Sequence, residues 1–173
     1  VTGSASDRAP GRAPEPARKS KRRAGPARAP RVIGWMERID LPDLGLGGLK
    51  VKIDTGARTS ALHATDIQQF ERDGAPWVSF MADSGHGLCD RPLEAPIHAE
   101  RAIKNTSGAP EDRFVIRTHL RMGARLWIID VSLSDRTNML FPMIVGRTAL
   151  RRHNIAVHTG RSFLATAKTP PEE

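Results

Sequence analysis

The stretch Leu49-Lys-Val-Lys-Ile-Asp-Thr-Gly-Ala-Arg-Thr-Ser-Ala-Leu-His-Ala64 decides how this chain is read. Leu49, Val51 and Ile53 alternate with Lys50 and Lys52, the period-two pattern of a half-buried strand. The strand runs directly into Asp54, Thr55 and Gly56. A carboxylate at the end of a buried strand is costly to ionise. A glycine beside it lets the chain turn sharply and brings backbone N–H groups within reach. The threonine hydroxyl can find a partner across a tight interface. Two such carboxylates brought together cannot both ionise, so they share a proton and their apparent pKa values split. The ionised member can then deprotonate water while the protonated member donates to a carbonyl oxygen.

Around this motif the chain reads as short strands separated by turn signals. Arg31–Pro42 begins the ordered part as a strand, turning through Asp43–Gly48 into strand 49–54, and the two form a hairpin. Ala57–Gly74 reads as irregular, with a short helical turn near Thr65–Phe70. Further strands are expected over Pro76–Asp83, Arg113–Leu120 and Arg125–Leu133, the last two joined by a hairpin turn at Gly123. Pro92 and Pro96 demote 92–103 to an edge or a bulged strand. Met139–Gly146 is an apolar run of the kind buried on both faces, Arg147–His153 can make about two helical turns, and 154–158 and 161–166 end the domain as short strands. Trp35, Trp77 and Trp127 are assigned to the core. Many short strands with little helix predict an all-β barrel or sandwich.

The formal charge of +8 invites a nucleic-acid reading until it is located. Residues 1–31 carry nine Arg and Lys against Asp7 and Glu15, a net +7, which leaves +1 for everything else. That segment is rich in Pro, Ala, Gly and Arg, with Val1 its only large aliphatic residue before Arg31, and is expected to be a disordered tail. Any contact with nucleic acid is expected only through this tail, which otherwise reads as a solubilising extension. The division expected is a tail over 1–31, a folded domain over 32–166 and a C-terminal tail over 167–173. The single Cys89 excludes an intrachain disulfide and fits a reducing, cytoplasmic compartment. No apolar run of about 18 residues is present and no apolar segment follows the N-terminal arginines, so neither a membrane span nor a Sec-type signal is expected.

A second element completes the first. Pro142-Met-Ile-Val-Gly-Arg-Thr-Ala-Leu150 sets two apolar residues and a glycine before a short helix. Asp-Thr-Gly followed by this element resembles a retropepsin-like lobe. The longer wording, in 52–64, 108–116, 133–150 and 162–165, is similar to the RimB-type family, often labelled an ATP-dependent zinc protease and often encoded beside RimK-type ATP-grasp ligases. The resemblance covers about 32–166 and implies a closed retropepsin-like lobe with one short helix. It implies an aspartic endopeptidase that takes peptide substrates and works as a homodimer, with a functional link to an ATP-grasp ligase. Asp54, Thr55 and Gly56 carry over as the catalytic triplet, and Ile144, Val145, Gly146 and Arg147 as the floor of the site. A flap is expected over 97–118, its tip at Asn105, Thr106, Ser107 and Gly108.

The label's other terms have no basis in the residues. No His-Glu-x-x-His and no phosphate-binding glycine loop occurs, and His86 with Cys89 lacks two further ligands, so no metal and no cofactor is expected. Asp83-Ser-Gly could supply a second aspartate within the chain, but only one apolar-apolar-glycine element follows and 29 positions separate the two acids, too few for a second lobe. It is read as a turn, and the second aspartate as that of another copy. Arg58 is read as solvent-facing, Arg147 as able to pair with an acidic side chain beneath the site, and Asp135-Arg136 as a turn. A different class of function stays open: a lobe that binds a peptide or a ligase without turnover.

Overall fold

A computed structural model describes residues 29–83, 87, 89, 91–104 and 110–166. The chain forms β1 (Arg31–Gly34), β2 (Met36–Leu41), a single 3-10 turn (Pro42–Leu44), β3 (Leu46–Asp54), β4 (Ser60–Arg72) and β5 (Ala75–Ala82). It continues through β6 (Leu93–Lys104), β7 (Pro110–Met122), β8 (Arg125–Ser134), β9 (Met143–Gly146), α1 (Arg147–Arg152) and β10 (Ile155–His158). Eight strands run in the order β2-β3-β9-β4-β5-β6-β7-β8, and additional β2–β7 and β4–β8 pairings bend this sheet back on itself into a nearly closed barrel. The all-β expectation holds, with α1 its one α-helix among the described residues.

Leu62, Val78, Phe80, Ile116, Leu120, Val131, Met143 and Val145 are each fully or almost fully buried inside the barrel. A Leu or Ile buried to this degree contributes about 1.5–3 kcal/mol through the area it removes from water. The β2–β3 and β7–β8 hairpins form as the alternation predicted, the second turning at Gly123 with φ +57°.

Several local expectations fail for identifiable reasons. Residues 60–72 are a thirteen-residue strand, neither irregular nor helical. Its first five residues are buried on both faces, between β8 and β9, so alternation is lost there. A register shift between Thr65 and Gln68, with Asp66 at φ +50°, then turns its second half onto β5. The run 31–42 is two strands broken at Trp35, because β1 leaves the barrel and pairs in parallel with β10. Strand β6 takes the second of its two expected forms: it pairs with both β5 and β7 and so is not an edge, and it carries a bulge between Ile97 and Ala99, just past Pro96. Of the three tryptophans only Trp127 is buried, stacked on His153. Trp35 meets Phe141 edge-on, and Trp77 is half-covered by Arg72.

Residues 161–166 form no strand. A buried acid holds them instead. The Glu37 carboxylate accepts hydrogen bonds from Gly34 N–H (2.7 Å), Ala165 N–H (3.0 Å), Thr166 N–H (3.1 Å) and the Thr166 hydroxyl (2.5 Å). Four donors offset the cost of burying a carboxylate, and they tie the end of the domain to its beginning. The expected N-terminal disorder and the C-terminal tail beyond Thr166 lie outside the described residues.

Candidate active site

Asp54 is the last residue of β3, and β9 runs parallel beside it with Ile53 opposite Val145 and Asp54 opposite Gly146. β9 in turn lies antiparallel to β4, with Ala61 opposite Ile144. The strand carrying the aspartate and the strand leaving it therefore flank the same four-residue strand, which forms the floor. Val51 and Ile53 point into the barrel and are buried, so the period of two turns Lys52 outward and leaves Asp54 half-buried at the rim.

The aspartate is held by its own loop. Its Oδ1 accepts from Gly56 N–H and Ala57 N–H, both at 3.0 Å. The loop is then fastened to the start of α1, where Arg147 N–H donates to the Ala57 carbonyl (2.8 Å) and Thr148 N–H to that of Arg58 (3.1 Å). The cap residue Gly146 offers the helix no side chain, so the loop's carbonyls satisfy N–H groups that would otherwise lack partners. Beneath, the Ser60 hydroxyl accepts from Gly146 N–H at 3.1 Å and the Ser132 hydroxyl donates to the Ser60 carbonyl at 3.1 Å, all of them buried.

Arg58 is exposed, as the sequence reading had it. The cation beside Asp54 is Lys52, which that reading did not single out, with Nζ 3.8 Å from Oδ2. The pair is half-exposed and is worth little to stability. Among the described residues Arg147 meets no acid; its guanidinium reaches the Thr55 carbonyl at 3.5 Å. Arg136, assigned to a turn, is half-buried. Burial lowers the pKa of its guanidinium and nearby Arg113 adds to that, while attraction to Asp54 opposes both. Its N–H donates to His63 Nδ1 at 2.9 Å, which places the neutral ring's proton on Nε2. Asp135 stays readily ionised because the Thr137 side chain and N–H both bond its carboxylate. Lys52 was legible, two residues before Asp54 on the same strand face; Arg136 carried no signal, since nothing local says where a loop arginine will reach.

The remaining predicted residues divide. Ile144, Val145 and Gly146 form the floor, and Thr55 and Gly56 are exposed beside Asp54. Strands β6 and β7 make the hairpin expected of a flap, paired out to Lys104 opposite Pro110, but its tip at Asn105, Thr106, Ser107 and Gly108 lies outside the described residues. Asp83 accepts from Gly87 N–H at 3.3 Å just past β5, whereas Ser84, Gly85 and His86 are outside the description. Among the described residues no cluster of three or more His, Cys, Asp or Glu suits a metal, and no helix is long and apolar enough to cross a membrane.

One carboxylate, held by two N–H groups at the rim of a barrel with Lys52 beside its other oxygen, can accept a proton from water, and among the described residues no second acid is paired with it to complete a general acid–base pair. Comparison with known proteins fits this geometry. A family model described as RimB-like, retropepsin-like aspartic endopeptidase RimB, matches residues 32–168. A probable alpha-L-glutamate ligase of Desulfotalea psychrophila is 43% identical over 127 residues, covering 70% of this chain and 27% of that protein. One from Parasynechococcus marenigrum is 41% identical over 124 residues, covering 69% and 26%. The chain thus spans about a quarter of the length of these relatives, matching a RimB-like part of a longer ligase protein. A Legionella pneumophila protein of unknown function (DUF785) superposes with a TM-score of 0.67 at 28% identity, over 79% of this chain and 98% of its own.

Proposed function

Because the chain belongs to the RimB-like family of retropepsin-like aspartic endopeptidases, we propose that it hydrolyses peptide bonds with a water held between Asp54 and Asp54 of the partner subunit. The observation that carries this reading is the mounting of Asp54: Oδ1 is tied to Gly56 and Ala57 N–H, while Oδ2 faces the exposed ammonium of Lys52 at 3.8 Å. A two-fold axis through this rim supplies a second acid, which the described residues of one chain do not place beside Asp54.

In the pair one carboxyl is ionised and the other protonated. The ionised group takes a proton from water as its oxygen attacks the peptide carbon, and the protonated group gives its proton to the carbonyl oxygen. Collapse of the tetrahedral diol expels the amine, which receives the proton that came from water, and the second carboxyl recovers its own. Thr55 braces the subunits, Gly56 brings backbone to the acid, and the β6–β7 hairpin closes over the peptide with Asn105–Gly108 at its tip. That the relatives carry this domain within probable alpha-L-glutamate ligases supports work alongside an ATP-grasp ligase.

The test is Asp54→Asn in the full chain, assayed for cleavage of a peptide library. Asparagine keeps an oxygen for the Gly56 and Ala57 N–H groups, so the fold is retained while turnover falls about 10²- to 10⁴-fold. Undiminished cleavage by a pure Asp54→Asn protein overturns the proposal. A second reading, a peptide- or ligase-binding module without turnover, draws on the proximity of Lys52, which can hold Asp54 as a permanent ion pair. It predicts that Asp54→Asn leaves function unchanged.

A further inference from the structure

Strands β4, β7 and β8 diverge at one place on the barrel. The parallel β4–β8 ladder stops at His63 opposite Ser134, after which β4 turns onto β5 through its irregularity at Asp66. The β7–β8 ladder stops at Val115 opposite Ser132, and the residues of β7 before that point pair with β6. The gap is a recess of about 310 Å³, at the small end of ligand pockets and suited to one long side chain. Ile67, Phe114 and Leu133 give it apolar walls, and Asp66, Asp112 and Asp135 line it as exposed acids. Glu111 and Arg113 also line it but satisfy each other, with Nη2 2.7 Å from Oε2. Four acids against one arginine leave the recess a net charge of −3. Ser134 lines it too. It is 2% exposed, and its buried hydroxyl has no hydrogen-bond partner among the described residues. A buried hydroxyl left unpaired is costly, and a ligand N–H in the recess would satisfy it.

We propose that this recess takes an arginine side chain, and that the occupant is the chain's own segment Arg18–Arg23. An arginine matches each feature of the recess. Its aliphatic stem packs on the apolar walls, its guanidinium fork pairs with carboxylates, and a remaining N–H reaches Ser134. Charge selects the occupant. Residues 1–28 carry six Arg and two Lys against Asp7 and Glu15, a net +6, and five of those cations fall within 18–23. Length allows it. These residues precede Arg31 by 8 to 13 positions, about 26–45 Å of extended chain, against a diameter of about 35 Å for a domain of this size. Affinity favours the chain's own segment over a free peptide. One side chain in an open recess binds at roughly millimolar Kd, and a tether supplies roughly millimolar effective concentration. Once filled, the recess links β4 and β8 to the return strand of the β6–β7 hairpin. Under the peptidase reading this restrains the flap, but the binding itself does not depend on that reading.

The experiment treats the whole chain with a carbodiimide, which joins a lysine amine directly to a touching carboxylate, and maps the links by mass spectrometry. Isotope-labelled and unlabelled chains are mixed first, so that a link within one chain carries one isotope. The expected result is Lys19 or Lys21 joined to Asp66, Asp112 or Asp135 of the same chain, in preference to the exposed Glu71 and Asp73 at the far end of the β4–β5 hairpin. These links fade with added salt. Arg18→Gln/Arg22→Gln/Arg23→Gln keeps both lysines and lowers the yield about 10-fold. Asp66→Asn/Asp112→Asn lowers the links to Asp135, which it retains, by about the same factor. Undiminished yield in either variant, or links spread evenly onto Glu71 and Asp73, overturns the recess. Links of mixed isotope alone put a second copy in the recess and overturn the assignment to the chain's own segment. Absence of recess links, with the segment shielded instead by an added oligouridylate, overturns the proposal in favour of nucleic acid. Recess links in a chain that cuts no peptide sink the peptidase reading alone, whereas cleavage without recess links sinks the recess alone.

Discussion

Asp54 and Gly146 face each other across the parallel β3–β9 pair, and the space behind Gly146 is closed: a Cβ there would lie 2.5 Å from the Thr59 carbonyl carbon and 2.8 Å from Ser60 N. The glycine is required by this approach of the backbone, which also lets its N–H reach the Ser60 hydroxyl. The aspartate's loop, the floor strand and the first turn of α1 are therefore one packed unit.

Gly146→Ala must push Thr59 and Ser60 away, and it is their backbone that has to give. The expected loss of stability is about 1–3 kcal/mol or more, read as a lower urea midpoint. Activity falls further than stability, because the displaced segment carries the Ala57 and Arg58 carbonyls that fasten the loop of Asp54 to α1.

Thr55 is exposed next to Asp54. If two copies pair there, Thr55→Cys in a Cys89→Ser background forms an intersubunit disulfide on mild oxidation, because the two cysteines come within the roughly 4.4–6.8 Å Cα separation a disulfide needs. Cysteine at Arg125, the exposed first residue of β8, gives no such product. Equal cross-linking at both positions, on non-reducing gels, counts against pairing at Asp54.

Glu37→Ala leaves the N–H groups of Gly34, Ala165 and Thr166 without their acceptor. Stability is expected to fall by about 2–5 kcal/mol, with faster tryptic cleavage at Arg161 as segment 161–166 comes loose. Glu37→Gln loses less, because one acceptor oxygen remains.

Asp130 faces Arg117, Arg101 and His98. Burial works to raise its pKa, but the hydrogen bond from Arg117 (2.8 Å) and attraction to Arg117, His98 and Arg101 hold it below the ordinary 3.8. A carboxylate depressed in the folded state stabilises the protein fully above its unfolded pKa, and that contribution is lost as pH falls through the lower folded value. Wild-type stability is therefore expected to decline below about pH 4. Asp130→Asn should be less stable at neutral pH and show a shallower decline in acid, measured by urea unfolding at stepped pH. Parallel acid limbs for the two proteins would refute the assignment.

What the sequence determined by itself is what lies within a few residues. Alternation of period two set the strands and their buried faces, Gly123 set a hairpin, and Asp54-Thr55-Gly56 and Ile144-Val145-Gly146 stood out as the two motifs that the fold brings side by side. Only the tertiary structure decided which strands meet and which charges follow. Burial on both faces erased the alternation that would have revealed β4. Pairing with β10 drew β1 off the barrel, and Glu37 captured residues 161–166 from across the chain. Lys52 stands at Asp54, a half-buried loop residue, Arg136, is attracted to the same carboxylate, and three arginines gather at α1. The physical reason is that a period or a turn residue acts through its immediate backbone, whereas pairing partners and side-chain reach are fixed by contacts far apart in the chain, which leave no local pattern.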